Sequence, residues 1–282
     1  MRWDRNHQSS NLEDRRSWGP ARGAMGMGGG GLLGIFSLLG RFGWKGILIG
    51  LVVVGFLVYG GGQCGLGNLG LGGGGPSPTP AERERSAPGQ VADEPARFVG
   101  FVFDDVQESW HKKMRDYDDS TIVLFRGAVE SACGTASSAV GPFYCPNDRK
   151  VYIDLSFYDE LQRRFGAPGD FAQAYVIAHE IGHHIQNQRG AMGRGAPDSI
   201  DVELQADCLA GAWAKDAEQR QLVEVGDVEE ALNAASAIGD DAIQKQTQGY
   251  VQPETWTHGS SKQRVAAFRK GYTGGTLAAC GL

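Results

Sequence analysis

The residues best placed to do chemistry are His179, Glu180 and His183, in the run Ala178-His179-Glu180-Ile181-Gly182-His183-His184. This H-E-x-x-H pattern lies in a stretch that reads as a helix from Asp170 to Arg189. Four residues is close to one helical turn, so His179 and His183 share a face and can grip one metal ion. Glu180 is rotated off that face, where its carboxylate reaches a water polarised by the ion rather than the ion itself. That is the layout of a zinc hydrolase with Glu180 as general base. The plainer alternative is a pair of core histidines that hydrogen-bond within the protein.

The helix that must position them carries an apolar stripe at Phe171, Ala174, Tyr175, Ala178 and Ile185, and Gly190 supplies its C-terminal stop. Zinc needs a third protein ligand. A metzincin would place a histidine six residues after His183, where this chain has Arg189, so that class is excluded. A second helical pattern running to about Ala217 contains Val202-Glu203-Leu204-Gln205-Ala206-Asp207-Cys208, with Glu203 and Asp207 again one turn apart. This E-x-x-x-D pair closes the site.

H-E-x-x-H followed by E-x-x-x-D resembles the gluzincin metallopeptidases, the thermolysin-like clan. The chain is more closely similar to a bacterial family of membrane-anchored neutral zinc metallopeptidases. That resemblance runs through Arg2-Trp3, residues 11–16 (NLEDRR), 141–148 (GPFYCPND), 175–186 (YVIAHEIGHHIQ), 203–211 (ELQADCLAG) and 257–264 (THGSSKQR). It implies a zincin-like domain, one zinc ion held by His179, His183 and Glu203, Glu180 as catalytic base, Asp207 behind a ligand, and a peptide or protein substrate. Gluzincins commonly add a histidine or tyrosine that donates to the oxyanion, and by likeness of role rather than of spacing His258 is the candidate. Against this stands a solvated His258 in a turn where Ser260 or Ser261 caps the last helix. An edge strand usually pairs with substrate in such enzymes, and residues 149–154 are the candidate, an ordinary core strand being the alternative.

Of 282 residues, 41% are hydrophobic, enough for a globular core in most of the chain. The 43 glycines are unevenly placed, about half of them between Gly23 and Gly75. Residues 1–45 hold seven Lys or Arg against three acids and read as a disordered basic arm. From 46 to 63 no charge appears, and Ile47 to Tyr59 is apolar apart from glycine, which reads as one transmembrane helix. A cleaved signal peptide fits less well, since 45 residues precede the apolar run and no A-x-A site follows it. Positive charge before the span predicts a single-pass protein of the bacterial inner membrane, with a cytoplasmic N-terminus and a periplasmic catalytic domain. Residues 64–97 read as a disordered Gly/Pro/Ser linker and 98–282 as the metallopeptidase domain. Topogenic placement accounts for the basic arm, so no nucleic-acid partner is expected.

Within the domain the patterning predicts helices at 101–116, 159–165, 228–245 and 262–270 beside the two metal-bearing ones, and strands at 121–125 and 150–155. The fold class is therefore helix-dominated α+β with a small sheet. Four domain cysteines allow three connectivities. Cys133 and Cys145 flank a Gly/Ser-rich turn and form the natural local pair, which leaves Cys208 with Cys280. A zinc site of four thiolates competes, but C-x-x-C spacing is missing, and Cys64 is left over. The functional expectation is a membrane-anchored zinc endopeptidase. Its rival is a catalytically silent envelope protein with structural zinc that binds a partner.

Overall fold

The computed structural model describes residues 1–18, 93–163, 166–167, 169–192 and 199–282. The expected membrane span, most of the expected linker and Cys64 lie outside these residues, and no described helix is long and apolar enough to cross a membrane.

The first helix, α1 (Glu94–Lys113), begins inside the expected linker because Asp93 caps it, its carboxylate accepting from the Ala96 N–H, with Pro95 tolerated in the first turn. Proline there had the look of linker composition. Ala96, Val99, Val102, Phe103, Val106 and Trp110 recur at helical spacing and are fully buried. A four-stranded sheet follows in the order β1-β2-β6-β5. It is built from β1 (Leu12–Asp14), β2 (Thr121–Phe125), β5 (Phe143–Cys145) and β6 (Lys150–Asp154). β1, β2 and β6 run parallel, and β5 is antiparallel to β6. Strands covered on both faces read as continuous apolar runs, as TIVLF does in β2. A separate hairpin, β3 (Ala128–Ser131) with β4 (Gly134–Ser137), is tied to β5 by the Cys133–Cys145 disulfide. The expected substrate-pairing strand at 149–154 is corrected: β6 lies between β2 and β5, so both its edges are occupied.

The remaining elements are helical: α2 (Ser156–Arg163), α3 (Asp170–Gln188), α4 (Ser199–Gln219), α5 (Asp227–Ala237), α6 (Asp240–Gln248) and α7 (Ser261–Gly274). One helix had been expected over 228–245, and two are found. The break falls at Gly239, whose Cα lies so near α7 that a Cβ would stand 2.3 Å from the Ser261 nitrogen. Other glycines let the helices close on one another. A Cβ at Gly182 on α3 would come 2.9 Å from Ala206 Cα on α4, and one at Gly271 on α7 would come 1.7 Å from the Cys208 carbonyl oxygen on α4. The second disulfide, Cys208–Cys280, binds the C-terminal tail to α4.

Over residues 1–18 the arm expected to be disordered is folded into the domain. Leu12 is buried and its strand pairs with β2 in the register Leu12↔Ile122. His7, Ser9 and Asn11 all reach the Asp104 carboxylate of α1 at 2.7, 2.9 and 3.0 Å, and the Met1 ammonium meets Asp170 at 2.6 Å. The arm's polar composition conceals how few anchors such a segment needs. Strands of one sheet lie on one side of a membrane, so a bilayer cannot part β1 from β2. A cytoplasmic N-terminus joined to an exported domain by a single crossing does not satisfy that pairing.

If β1 belongs to the domain, Leu12→Ala creates a cavity and lowers unfolding free energy by about 2–5 kcal/mol in denaturant titration. A change near zero would mean a detached arm.

Candidate active site

α3 is buried along nearly its whole length, and α4 crosses it closely at Gly182–Ala206. That contact brings Glu203 against the histidine face. His179 Nε2 lies 3.2 Å from one Glu203 oxygen and His183 Nε2 3.5 Å from the other. One ligand atom from each of the three residues lies within 4.8 Å of the others.

Both imidazoles are held from behind. His179 Nδ1 lies 2.8 Å from Asp207 Oδ1, and an ionised carboxylate only accepts, so Nδ1 carries the proton and Nε2 faces Glu203. His183 Nδ1 lies 2.8 Å from Gln186 Oε1 and is fixed in the same tautomer. Two imidazole nitrogens and a carboxylate, pre-aimed at one point, are a donor set that fits zinc. His184, next to the motif, is bonded within the core: Nε2 donates to the Asp118 carbonyl at 2.7 Å and Nδ1 meets the Tyr144 hydroxyl at 3.0 Å. Burial lowers its pKa.

Asp207 has no exposed surface. It accepts from His179, from the Tyr175 hydroxyl at 2.5 Å, and from Arg264 Nε and Nη2 at 2.8 and 2.9 Å. Burial would raise its pKa, but Arg264 and His179 hold it well below the usual carboxylate range. Burial likewise opposes charge on His179, yet Asp207 and Glu203 raise its pKa to about 10. Glu203 is lowered to about 2 by the two histidines, against its own desolvation. In Glu180 burial dominates and the pKa rises, although His183 and His179 pull the other way. Its carboxylate makes no hydrogen bond among the described residues, and Glu180 lines a cleft of about 1000 Å³ with the three candidate ligands.

Thr135 and Phe143 beside the hairpin, Phe157 on α2, Met192, and Ile243 on α6 line that cleft, and so does His258. The His258 ring is half exposed, with Nδ1 3.1 Å from Asp240 Oδ1 and 2.9 Å from the Thr257 hydroxyl. Asp240 Oδ2 also accepts the backbone N–H groups of Thr257, His258 and Gly259 at 2.8, 2.7 and 3.0 Å, so one carboxylate shapes the whole loop. Ser260, not Ser261, caps α7, in a capping box with Gln263.

Over residues 1–282 the chain matches the family described as "Putative neutral zinc metallopeptidase". The chain belongs to this zinc metallopeptidase family. It is 40% identical to the uncharacterized protein YpfJ of Escherichia coli (strain K12) over 302 aligned positions, covering 99% of this chain and 98% of that one. It is 44% identical to the uncharacterized protein Rv2575 of Mycobacterium tuberculosis (strain ATCC 25618 / H37Rv) over 193 positions, 62% of this chain and 66% of that one. No solved structure matches.

The residues expected at this family's zinc site, His179, His183, Glu203 and Asp207, come together with Glu180 beside them. Cys133 pairs with Cys145 and Cys208 with Cys280. Sequence reasoning missed Arg264, Tyr175, Gln186 and Asp240. Arg264 closes the matching stretch 257–264 and Gln186 closes 175–186, and that was the available signal.

Removing Asp207 leaves the Arg264 charge buried and unmatched. Asp207→Ala therefore costs about 3–5 kcal/mol in denaturant unfolding of the metal-free protein. It also weakens zinc binding about 10- to 100-fold in chelator competition, because His179 loses its orienting partner. Unchanged zinc affinity would remove Asp207 from the site.

Proposed function

We propose that this protein is a zincin-like, zinc-dependent endopeptidase acting on extended polypeptide. One observation carries the reading: Glu180 lines the same cleft as His179, His183 and Glu203, and its carboxylate makes no hydrogen bond among the described residues. One zinc ion held by those three residues would supply Lewis acidity, polarising the scissile carbonyl and a water. Glu180 accepts the proton of the attacking water and passes it to the leaving nitrogen.

As the tetrahedral intermediate forms, negative charge gathers on the former carbonyl oxygen, and a donor poised there lowers the barrier. His258 is that donor in this proposal. His258 lines the cleft, and with Nδ1 turned to Asp240 and Thr257 its Nε2 is the ring nitrogen left for an oxyanion. The substrate chain lies between the hairpin wall and the wall formed by Met192 and Ile243.

A structural zinc site in a partner-binding protein would normally fill its fourth position from the protein. The described group has three members. The proposal places the domain in an oxidising compartment, which the two disulfides support, and residues 1–18 go with it. Membrane attachment through residues 46–63 rests on their apolar sequence alone.

With generic unfolded protein as substrate, Glu180→Gln should keep its zinc and lose about 10²-fold or more of kcat. Glu203→Ala should lose the zinc, read by metal analysis after dialysis. Turnover that survives Glu180→Gln, or full occupancy in Glu203→Ala, would defeat the reading.

His258→Ala should lower kcat about 10²- to 10³-fold with zinc content unchanged, as expected for a donor used only where the oxyanion forms. An unaltered kcat would reject that role, and lost zinc would make His258 a ligand.

A further inference from the structure

The two histidines of the site are held by unlike means. His179 leans on a buried ion pair, Asp207 with Arg264. His183 leans on neutral amides, and their direction is fixed by two backbone carbonyls that can only accept. Gln186 Nε2 donates to the Val202 carbonyl at 2.7 Å and to Gln205 Oε1 at 3.0 Å. The NH2 of Gln186 therefore faces α4, and its oxygen is left for His183 at 2.8 Å. Gln205 Nε2 donates in turn to the Cys280 carbonyl at 3.0 Å, which leaves Gln205 Oε1 to accept from Gln186. Reversing Gln186 would set its oxygen against the Val202 carbonyl, and reversing Gln205 would set its oxygen against the Cys280 carbonyl. The whole series thus has one orientation, and in it His183 Nε2 is bare.

Gln186 has no exposed surface, so water cannot replace a missing partner there. The far end of the series is the C-terminal tail. α7 ends at Gly275 in the left-handed region, and a single 3-10 turn, Ala278–Cys280, brings Cys280 back to α4. The covalent bond from Cys280 to Cys208 holds that tail, and Cys208 follows Asp207 directly in the chain.

We propose that Gln186 and Gln205 are positioning residues that fix His183 in its metal-binding tautomer and make that ligand depend on the Cys208–Cys280 disulfide. The disulfide acts on the metal through the Cys280 carbonyl, three hydrogen bonds from the His183 ring. The proposal rests on the zinc site and not on peptide cleavage.

The test is zinc affinity, measured by competition with a chromophoric chelator on the full chain stripped of metal and reconstituted with zinc alone. Gln186→Leu should weaken binding toward the upper end of the roughly 10- to 100-fold range for a lost ligand-orienting partner. Gln205→Leu and the double variant Cys208→Ser/Cys280→Ser should each weaken it by about tenfold, the lower end. Combining Gln205→Leu with the cysteine pair should give no further loss, because both interrupt the same series. A purely structural role would give independent, additive losses instead. Cys133→Ser/Cys145→Ser serves as the control for a lost disulfide, and its zinc affinity should match the parent's.

Parent-like affinity in Cys208→Ser/Cys280→Ser, or additive losses with Gln205→Leu, would overturn the proposal. A parent chain that fails to bind zinc would overturn it together with the metal site. A parent that binds zinc tightly and cleaves no polypeptide would overturn the peptidase reading alone.

Discussion

Asp207 is the constraint to which the helical half of the molecule is fitted. A carboxylate without access to water has to have its charge matched and its lone pairs filled. Its partners arrive from two other helices, Tyr175 and His179 from α3 and Arg264 from α7. Three helix axes must therefore pass within side-chain reach of one point, closer than ordinary residues allow. Gly182, Gly211 and Gly271 are the places where backbone meets backbone, and a Cβ at Gly211 would stand 2.0 Å from the Phe268 carbonyl oxygen. The same arrangement that satisfies Asp207 presents Glu203, one turn earlier on α4, to the two imidazoles. Fold stability and ligand geometry are thus met by one set of contacts.

The electrostatics follow from that arrangement. Arg264 cancels the charge of Asp207, so the carboxylate can fix a histidine without leaving a net negative charge behind the site. Glu203 is then the ionised acid facing the metal position, and its lowered pKa reflects the two histidines opposite. Glu180, desolvated by burial, has the reverse shift. Neighbouring carboxyl groups are driven apart in proton affinity by burial and partners, one toward ligand and the other toward base.

What could be read from the sequence is what local periodicity carries. H-E-x-x-H and E-x-x-x-D each occupy one helical turn, so the spacing alone placed their side chains, and the boundaries of α3 were expected to within one residue. The short Gly/Ser-rich span between Cys133 and Cys145 likewise gave away its own closure. Arg264 and Asp240 could not be found this way, because each acts on a partner distant in the chain, Arg264 on Asp207 and Asp240 on His258. The register of β1 was equally hidden: three residues give no periodicity, and their partner strand begins beyond residue 120. Gly239 falls inside the helix expected over 228–245, and the approach of Ser261 that breaks it is a tertiary event.

The pairing of β1 with β2 also sets an order of assembly. Leu12 emerges from the ribosome long before Ile122, its partner, so the first strand has to wait unpaired while the intervening chain is made. A contact of such sequence separation carries a large loop-closure cost and is expected late in folding. Once formed, it brings the two ends of that intervening chain together, Arg16 Nη1 lying 2.7 Å from Asp93 Oδ2. Arg16 and Asp93, far apart in sequence, are thereby held as neighbours. Closure entropy rises only logarithmically with chain separation, so the cost of bringing β1 to β2 depends weakly on how many residues part them. The sheet against which the helices pack therefore rests on a pairing whose entropic cost is nearly independent of that number.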